Sequence, residues 1–172
     1  GPDEYNYAHP AISGDGRTFY FVSDLPGGSG MKDIWKSSVS GTGRLSTPVN
    51  LGNTINTPKD EVFPSVAGDS ILFFASDGYV GMGGLDIYYS IKEDNIYTSP
   101  VNIGSPINST YDDFNLLLKP GFNGGYFCSN RQYKTQSDDI YSFSFNIFLD
   151  NISGKVVDSL DFSPIHDVKI SY

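Results

Sequence analysis

A chain of 172 residues that holds one cysteine, one tryptophan, two histidines and two methionines has few residues left for redox or metal chemistry. The lone thiol, Cys128, forms no internal disulfide. His9 and His166 stand at no fixed spacing from it or from each other, so no Cys/His zinc cluster can be read and no cofactor is expected. The redox compartment is left open. Cations are scarce as well: 11 Lys and Arg against 20 Asp and Glu give a formal charge of −9. That balance argues against nucleic-acid binding, which needs basic side chains to replace phosphate counterions, and against electrostatic docking on anionic lipid. No apolar run approaches the length of a direct membrane span, and no useful stretch keeps the 3.6-residue helical period.

What the chain does have is 19 Gly, 10 Pro, 12 Tyr and 12 Phe. Aromatic residues suit pleated, half-buried surfaces, and Gly with Pro punctuates them, so an all-β protein is expected. A hydrophobic share of 38% against 18% charged residues is enough for a packed core. The opening Gly1-Pro2-Asp3-Glu4 is no signal peptide and reads as the start of a fragment. The sequons Asn108-Ser109-Thr110 and Asn151-Ile152-Ser153 match a glycosylation acceptor by composition as readily as by function.

An internal repeat organises the chain. Phe19-Tyr20-Phe21-Val22-Ser23-Asp24 returns as Leu72-Phe73-Phe74-Ala75-Ser76-Asp77, and again as Gly125-Tyr126-Phe127-Cys128-Ser129-Asn130. The interval is 53 residues each time (77 − 24 and 130 − 77). Asp33-Ile34-Trp35, Asp86-Ile87-Tyr88 and Asp139-Ile140-Tyr141 keep the same period. Two connectors also match: Thr47-Pro48-Val49-Asn50-Leu51-Gly52 with Ile55-Asn56, and Ser99-Pro100-Val101-Asn102-Ile103-Gly104 with Ile107-Asn108. Asp60-Glu61 matches Asp112-Asp113.

Each unit reads as four short strands. In the second unit these are Val62 to Val66, Ser70 to Ser76, Leu85 to Ile91 and Ile96 to Val101, the last on the outside. Four strands at a period near about 50 residues match a propeller blade, a small sheet that must stack on neighbours to bury both faces. The units span about 6–58, 59–111 and 112–148, and a second module opens at 149–172. Propellers typically hold about four to eight blades, so three units leave a fragment, a self-associating half or an open stack. The outer flanks of the first and third units are then predicted to be apolar and in need of partners.

The run from Pro10 to Asp24 with Asp33-Ile34-Trp35 resembles the repeat of TolB-type β-propellers. Pro26-Gly27-Gly28-Ser29-Gly30 and the Val49-Asn50-Leu51-Gly52 connector resemble the propeller of Bacteroidetes OmpA-family envelope proteins, the PorE-like members of type IX secretion among them. The resemblance covers roughly Asn6 to Phe145. It implies half of a six-bladed propeller. The tail, Ile152-Ser153-Gly154-Lys155-Val156-Val157-Asp158 with Pro164-Ile165 and Val168-Lys169-Ile170, resembles the initial strands of a carboxypeptidase-regulatory-like β-sandwich, although Leu160-Asp161-Phe162-Ser163 replaces the usual turn.

The prominent acids are Asp24, Asp77, Asp33, Asp86 and Asp139. A carboxylate at a strand end accepts backbone N–H bonds and fixes the following turn, and repetition in every unit favours that structural role over catalysis. Asp112-Asp113 and Asp138-Asp139 are pairs and not calcium cages, which need six to eight oxygens. The loops Pro26 to Gly30 and Gly78 to Gly84 lack the Gly-Lys-Ser/Thr ending of a phosphate loop. Gly81-Met82-Gly83-Gly84 reads as a hairpin needing positive φ. Trp35, Tyr88 and Tyr141 recur at one position and are expected to stabilise stacking as core aromatics. Cys128 stands where Val22 and Ala75 stand, so it reads as a small buried residue. His9, whose counterpart is Phe63, reads as packing, and Lys32 and Lys36 as solvated.

These readings make no residue catalytic. The resemblance implies a non-catalytic scaffold in the periplasm, associated with the outer membrane, whose partners are envelope or secretion-system proteins and, through self-association, a second copy of the chain. A propeller that binds a small ligand or glycan in its channel is the alternative. A glycosidase or lyase ranks below it, because glycosidase chemistry needs two unlike carboxylates flanking a bond and the prominent ones here are repeated.

Overall fold

The computed structural model of the chain describes residues 4–131 and 137–145, and every regular element among them is a β-strand. The strands β1 (Tyr7–Ile12), β2 (Thr18–Ser23), β3 (Asp33–Ser38) and β4 (Val49–Asn50) form a first antiparallel sheet in that order. In the second sheet β5 (Glu61–Ala67), β6 (Ile71–Ser76) and β7 (Asp86–Glu93) lie side by side, and β8 (Ile96–Tyr97) and β9 (Val101–Asn102) both pair with β7. The third sheet is β10 (Asp113–Leu118), β11 (Gly124–Ser129) and β12 (Asp139–Ser144). Strand order follows chain order in each, as short Gly-rich and Asp-rich turns allow. None of these sheets closes on itself.

Registers repeat along with the sequence. Phe21 faces Trp35 across its strand pair, Phe74 faces Tyr88, and Phe127 faces Tyr141. Four strands per unit hold for the first sheet, whereas the third shows three among the described residues. The strand expected over Ile96 to Val101 divides in two. Ile96–Tyr97 folds back on the end of β7 through Asp94 and Asn95, both at positive φ, and Val101–Asn102 pairs separately with Tyr88 and Tyr89. Pro100 lies between them and has no N–H to donate, so the run cannot continue as one strand. The tail read as the start of a sandwich lies outside the described residues.

Alternation along the strands gives each sheet two apolar faces. Tyr20, Val22 and Ile34 of the first sheet pack with Leu72, Phe74 and Tyr88 of the second. Phe73 and Ile87, on the opposite face of the second sheet, pack with Leu116 and Phe127 of the third. Each fully buried Phe, Leu or Ile contributes roughly 1.5–3 kcal/mol by leaving water. The first strands β1, β5 and β10 run next to one another. Each carries a register-shifting bulge, and in each bulge a residue other than glycine sits at positive φ: His9 (48°), Phe63 (52°) and Asn115 (54°). The bulges turn rings toward the neighbouring sheet. His9 stacks on Phe63 at 3.8 Å between centroids, and Phe63 on Phe114 at 4.8 Å.

Candidate functional site

The repeated carboxylates serve the backbone, in two different ways. Asp33 opens β3, and its Oδ2 accepts from Ser29 N at 2.5 Å and Asn50 Nδ2 at 2.9 Å, its Oδ1 from Gly30 N at 3.0 Å. Asp86 opens β7 and accepts from Met82 N at 2.8 Å and Gly83 N at 3.0 Å. Both gather the loop that precedes them, where the turn that follows was predicted. The peptide N–H groups of a loop folding back onto the strand start lie closer to the carboxylate than those of the strand itself. Asp139 holds the same register place, opposite Ser129, but most of its preceding loop lies outside the described residues.

Asp24 and Asp77 close a different gap. Asp24 accepts from Asn6 N at 2.7 Å and Asn6 Nδ2 at 2.6 Å, and the Asn6 side-chain bond leads in holding its carboxyl below the usual range. Asp77 accepts from Asp60 N at 3.0 Å. In the third unit Asn130 takes this place and accepts from Asp112 N at 2.9 Å. An amide oxygen performs the task as well as a carboxylate, so the position needs an acceptor and not a charge. These residues clasp the entry of the first strand to the end of the second, again not the following turn.

Two further acids, Glu61 and Asp113, are buried at the second place of each repeated acidic pair. Glu61 is 0% exposed and accepts from Thr57 N, Thr57 Oγ1 and Ser76 Oγ, each at 2.7 Å. Burial pushes its carboxyl above the ordinary value, the Ser76 and Thr57 bonds oppose this, and the Asp33 charge adds to the rise. Its counterpart Asp113 accepts from Ser109 N at 2.6 Å and pairs with Arg131 Nη2 at 2.6 Å. Arg131 also donates to the carbonyls of Pro106 and Ile107 and lies 4.9 Å from the ring centroids of Phe127 and Tyr141. Tyr79 does the matching job one unit earlier, donating to Thr54 O and Ile55 O. Burial pushes the Tyr79 hydroxyl up to about 12.

The connector motif is an asparagine bracket. Asn56 accepts from Ile34 N at 2.9 Å and donates to Ile34 O and Asn50 Oδ1. Asn108 repeats this on Ile87 and Asn102. Asn108 is 1% exposed with its amide fully engaged, which removes the first sequon as an acceptor in the folded chain. Gly52 and Gly104 end the bracket at φ 77° and 74°, a conformation that favours glycine.

The Gly-rich loops correct another expectation. Gly81, Gly83 and Gly84 are not at positive φ. They are needed for space: a Cβ on Gly81 would collide with the Asp86 carboxylate, on Gly83 with the Tyr111 carbonyl, and on Gly84 with Asp112. Gly30 meets the carbonyls of Thr57 and Lys59 in the same way. Gly30, Gly83 and Gly84 lie against the segment leading into the next sheet, so contact between sheets dictates the residue there, whereas Gly81 makes room for Asp86 of its own unit.

Of the recurrent aromatics, Tyr88 packs between the first two sheets and donates to Val80 O at 3.1 Å. Tyr141, half-buried, stacks on Phe127 at 5.5 Å. Trp35, 6% exposed, is buried within its own unit. Its Nε1 donates to Ser23 O, and its ring lines an open groove of about 500 Å³ with Tyr7, Phe19, Phe21, Leu25 and Leu45. On the far face of the third sheet Leu117, Tyr126 and Ile140 are exposed, and Cys128 beside them is partly exposed where burial was predicted. Its counterparts Val22 and Ala75 lie inside joints, and Cys128 does not. Lys32, read as solvated, pairs with Asp60 at 2.7 Å, and the half-buried Lys36 lies 5.7 Å from the Tyr97 ring centroid.

Among the described residues no group of three or more His, Cys, Asp or Glu is placed to hold a metal ion, and no helix is long and apolar enough to cross a membrane. No protein-family model matches the chain, and no curated protein matches it.

Proposed function

We propose that the chain is a run of β-propeller blades of the TolB type that works as a non-catalytic interaction scaffold in the bacterial cell envelope, at the periplasmic side of the outer membrane. One observation carries this reading: two joints between sheets are built from corresponding residues at the same registers. Like sheets stacked by like joints are what a propeller needs, and exposed apolar side chains such as Leu45, Tyr126 and Ile140 are what docking partners use. The carboxylates of Asp24, Asp33 and Asp77 and the Oδ2 atom of Asp86 accept from backbone and side-chain donors, which suits a framework. Envelope or secretion-system proteins are the partners that the repeat resemblance implies.

The test is capture from a bacterial envelope extract with the chain as bait. A defined envelope protein, retained at moderate salt and lost when a groove residue such as Leu45 is changed to Glu, is the expected result. Retention of no envelope protein would sink the scaffold reading.

A further inference from the structure

The two joints correspond at most places and differ in chemistry at one. In the second joint that place is apolar: Ile71 pairs with Ile91 and Phe73 with Tyr89 across the strands, and Ile71, Phe73 and Tyr89 belong to the core packed against the third sheet. Phe145 lies 5.3 Å from Phe143 between ring centroids. The first joint has Thr18 opposite Ser38 and Tyr20 opposite Lys36 in the same register. Thr18, Lys36, Ser38 and Lys92 thus stand where Ile71, Tyr89, Ile91 and Phe145 stand 53 positions later (71 − 18, 89 − 36, 91 − 38 and 145 − 92). Four apolar residues give way to two cations and two hydroxyls. Departures from an otherwise repeated packing pattern are where a functional demand shows.

The first joint holds a cavity of about 150 Å³ there, with Thr18, Tyr20, Lys36, Ser38, Lys92 and Asn95 in its wall. Lys36 comes from β3 of the first sheet and Lys92 from β7 of the second. No carboxylate of the described residues lines it. The ion pairs among the described residues belong to Lys32, Lys59 and Arg131, so neither cavity lysine has one. Asp15 feels the Lys92 charge without pairing to it. Burial first, and the Lys92 charge second, hold the Lys36 ammonium below its usual value. Two like charges at one cavity disfavour each other, and an anion between them removes that cost. The tyrosines add a donor. Tyr20 OH and Tyr97 OH share one hydrogen bond of 2.8 Å between two hydroxyl protons, which leaves one proton to give.

We propose that this cavity binds one small tetrahedral oxyanion, a free phosphate ion or the terminal phosphate of a larger molecule, between Lys36 and Lys92, with the Thr18, Ser38 and Tyr20 hydroxyls as further donors. Lysine meets phosphate as a point charge on a flexible stem, so two lysines from two sheets can close on one anion. The cavity is smaller than the roughly 300–1,000 Å³ of pockets for drug-sized ligands. The anionic group alone enters it, and whatever carries that group stays outside. A bound anion also ties the first sheet to the second by charge, where the second joint is tied by apolar contact. The site lies wholly within the first joint, goes beyond the scaffold reading and depends on no envelope partner.

The test titrates inorganic phosphate, and separately glycerol 3-phosphate, into the full chain at constant ionic strength, followed by amide NMR. Saturable shifts at Thr18, Ser38 and Asn95 are expected, with a rise in the thermal midpoint, since a ligand that binds only the folded chain stabilises it. Saturation by both probes marks the phosphate group as the feature recognised, and saturation by inorganic phosphate alone marks the free ion. Lys36→Met and Lys92→Met should each weaken binding roughly ten-fold or more, the loss of one charge-assisted bond. Both variants keep an unbranched stem and remove a repulsion, so without phosphate each should be at least as stable as wild type. Lys59→Met, at an exposed lysine outside the cavity, should bind as wild type does. Absence of saturable shifts at those three amides in millimolar phosphate overturns the proposal, as does binding that survives both cavity substitutions. An equal loss in Lys59→Met overturns it as well, since that marks diffuse attraction to lysines. An envelope extract that yields no partner leaves these results untouched, so the two readings fail separately.

Discussion

Glu61 shows what a single residue contributes here and why it was hard to see. Asp60-Glu61 looks like a solvated acidic pair, yet strand alternation sends the second acid inward beside Ser76. The recurrence of the pair as Asp112-Asp113 was the available signal; which member is buried depends on register, which the sequence does not show. Asp24, Asp33, Asp77 and Asp86 were legible through repetition, but the direction in which each acts was not, because spacing alone cannot tell a preceding loop from a following turn. Burial holds the Glu61 carboxyl above 4.5, so the folded chain binds its proton more readily than the unfolded chain does. That contribution to stability is fully present below about pH 4.5 and is lost as pH rises through the raised folded value. Glu61→Gln should therefore gain on wild type in denaturant unfolding as pH rises, and a pH-independent difference would contradict it. His9 runs the other way. Burial, aided by the Lys32 charge, holds its imidazole below 6.5, and its Nδ1 accepts from Phe63 N at 3.3 Å. Its contribution is present above about pH 6.5 and is lost as pH falls through the lowered value. An NMR titration should place the His9 midpoint below 6.5, and a midpoint at or above it would refute this environment.

At the scale of elements, strand existence was readable from apolar runs and turn clusters, and strand ends were readable to within a few residues. The bulges of β1, β5 and β10 were not, since their positive-φ residues are His9, Phe63 and Asn115 and carry no glycine signal. The loops misled in the opposite sense. Glycine at Gly83 suggests unusual φ, whereas the reason is the Tyr111 carbonyl against it, a contact that exists only once two sheets are packed. Gly52 and Gly83 thus separate two roles of one residue type. Gly52→Ala should cost about 1 kcal/mol or more through strain at positive φ. Gly83→Ala should cost roughly 1–3 kcal/mol by forcing the sheets apart, and should also expose the second core to a hydrophobic dye. Equal unfolding free energies for Gly83→Ala and wild type would show that the loop does not support the joint.

For the whole molecule, the sequence period foretold like units, and the fold adds how they meet. A joint is one face carrying a Phe with an aromatic partner, one face carrying an Ile with a second aromatic, a stacked ring near the first strands and a backbone bond at the edge. No short window of sequence contains a joint, because its two faces lie about one 53-residue period apart. The most direct measurement is amide hydrogen exchange at Glu61 and Asp113, two amides at one register place. Glu61 and Asp113 should be protected to similar degrees because each donates across a joint. Fast exchange at Glu61 and Asp113 under conditions where the strands remain formed would contradict the account.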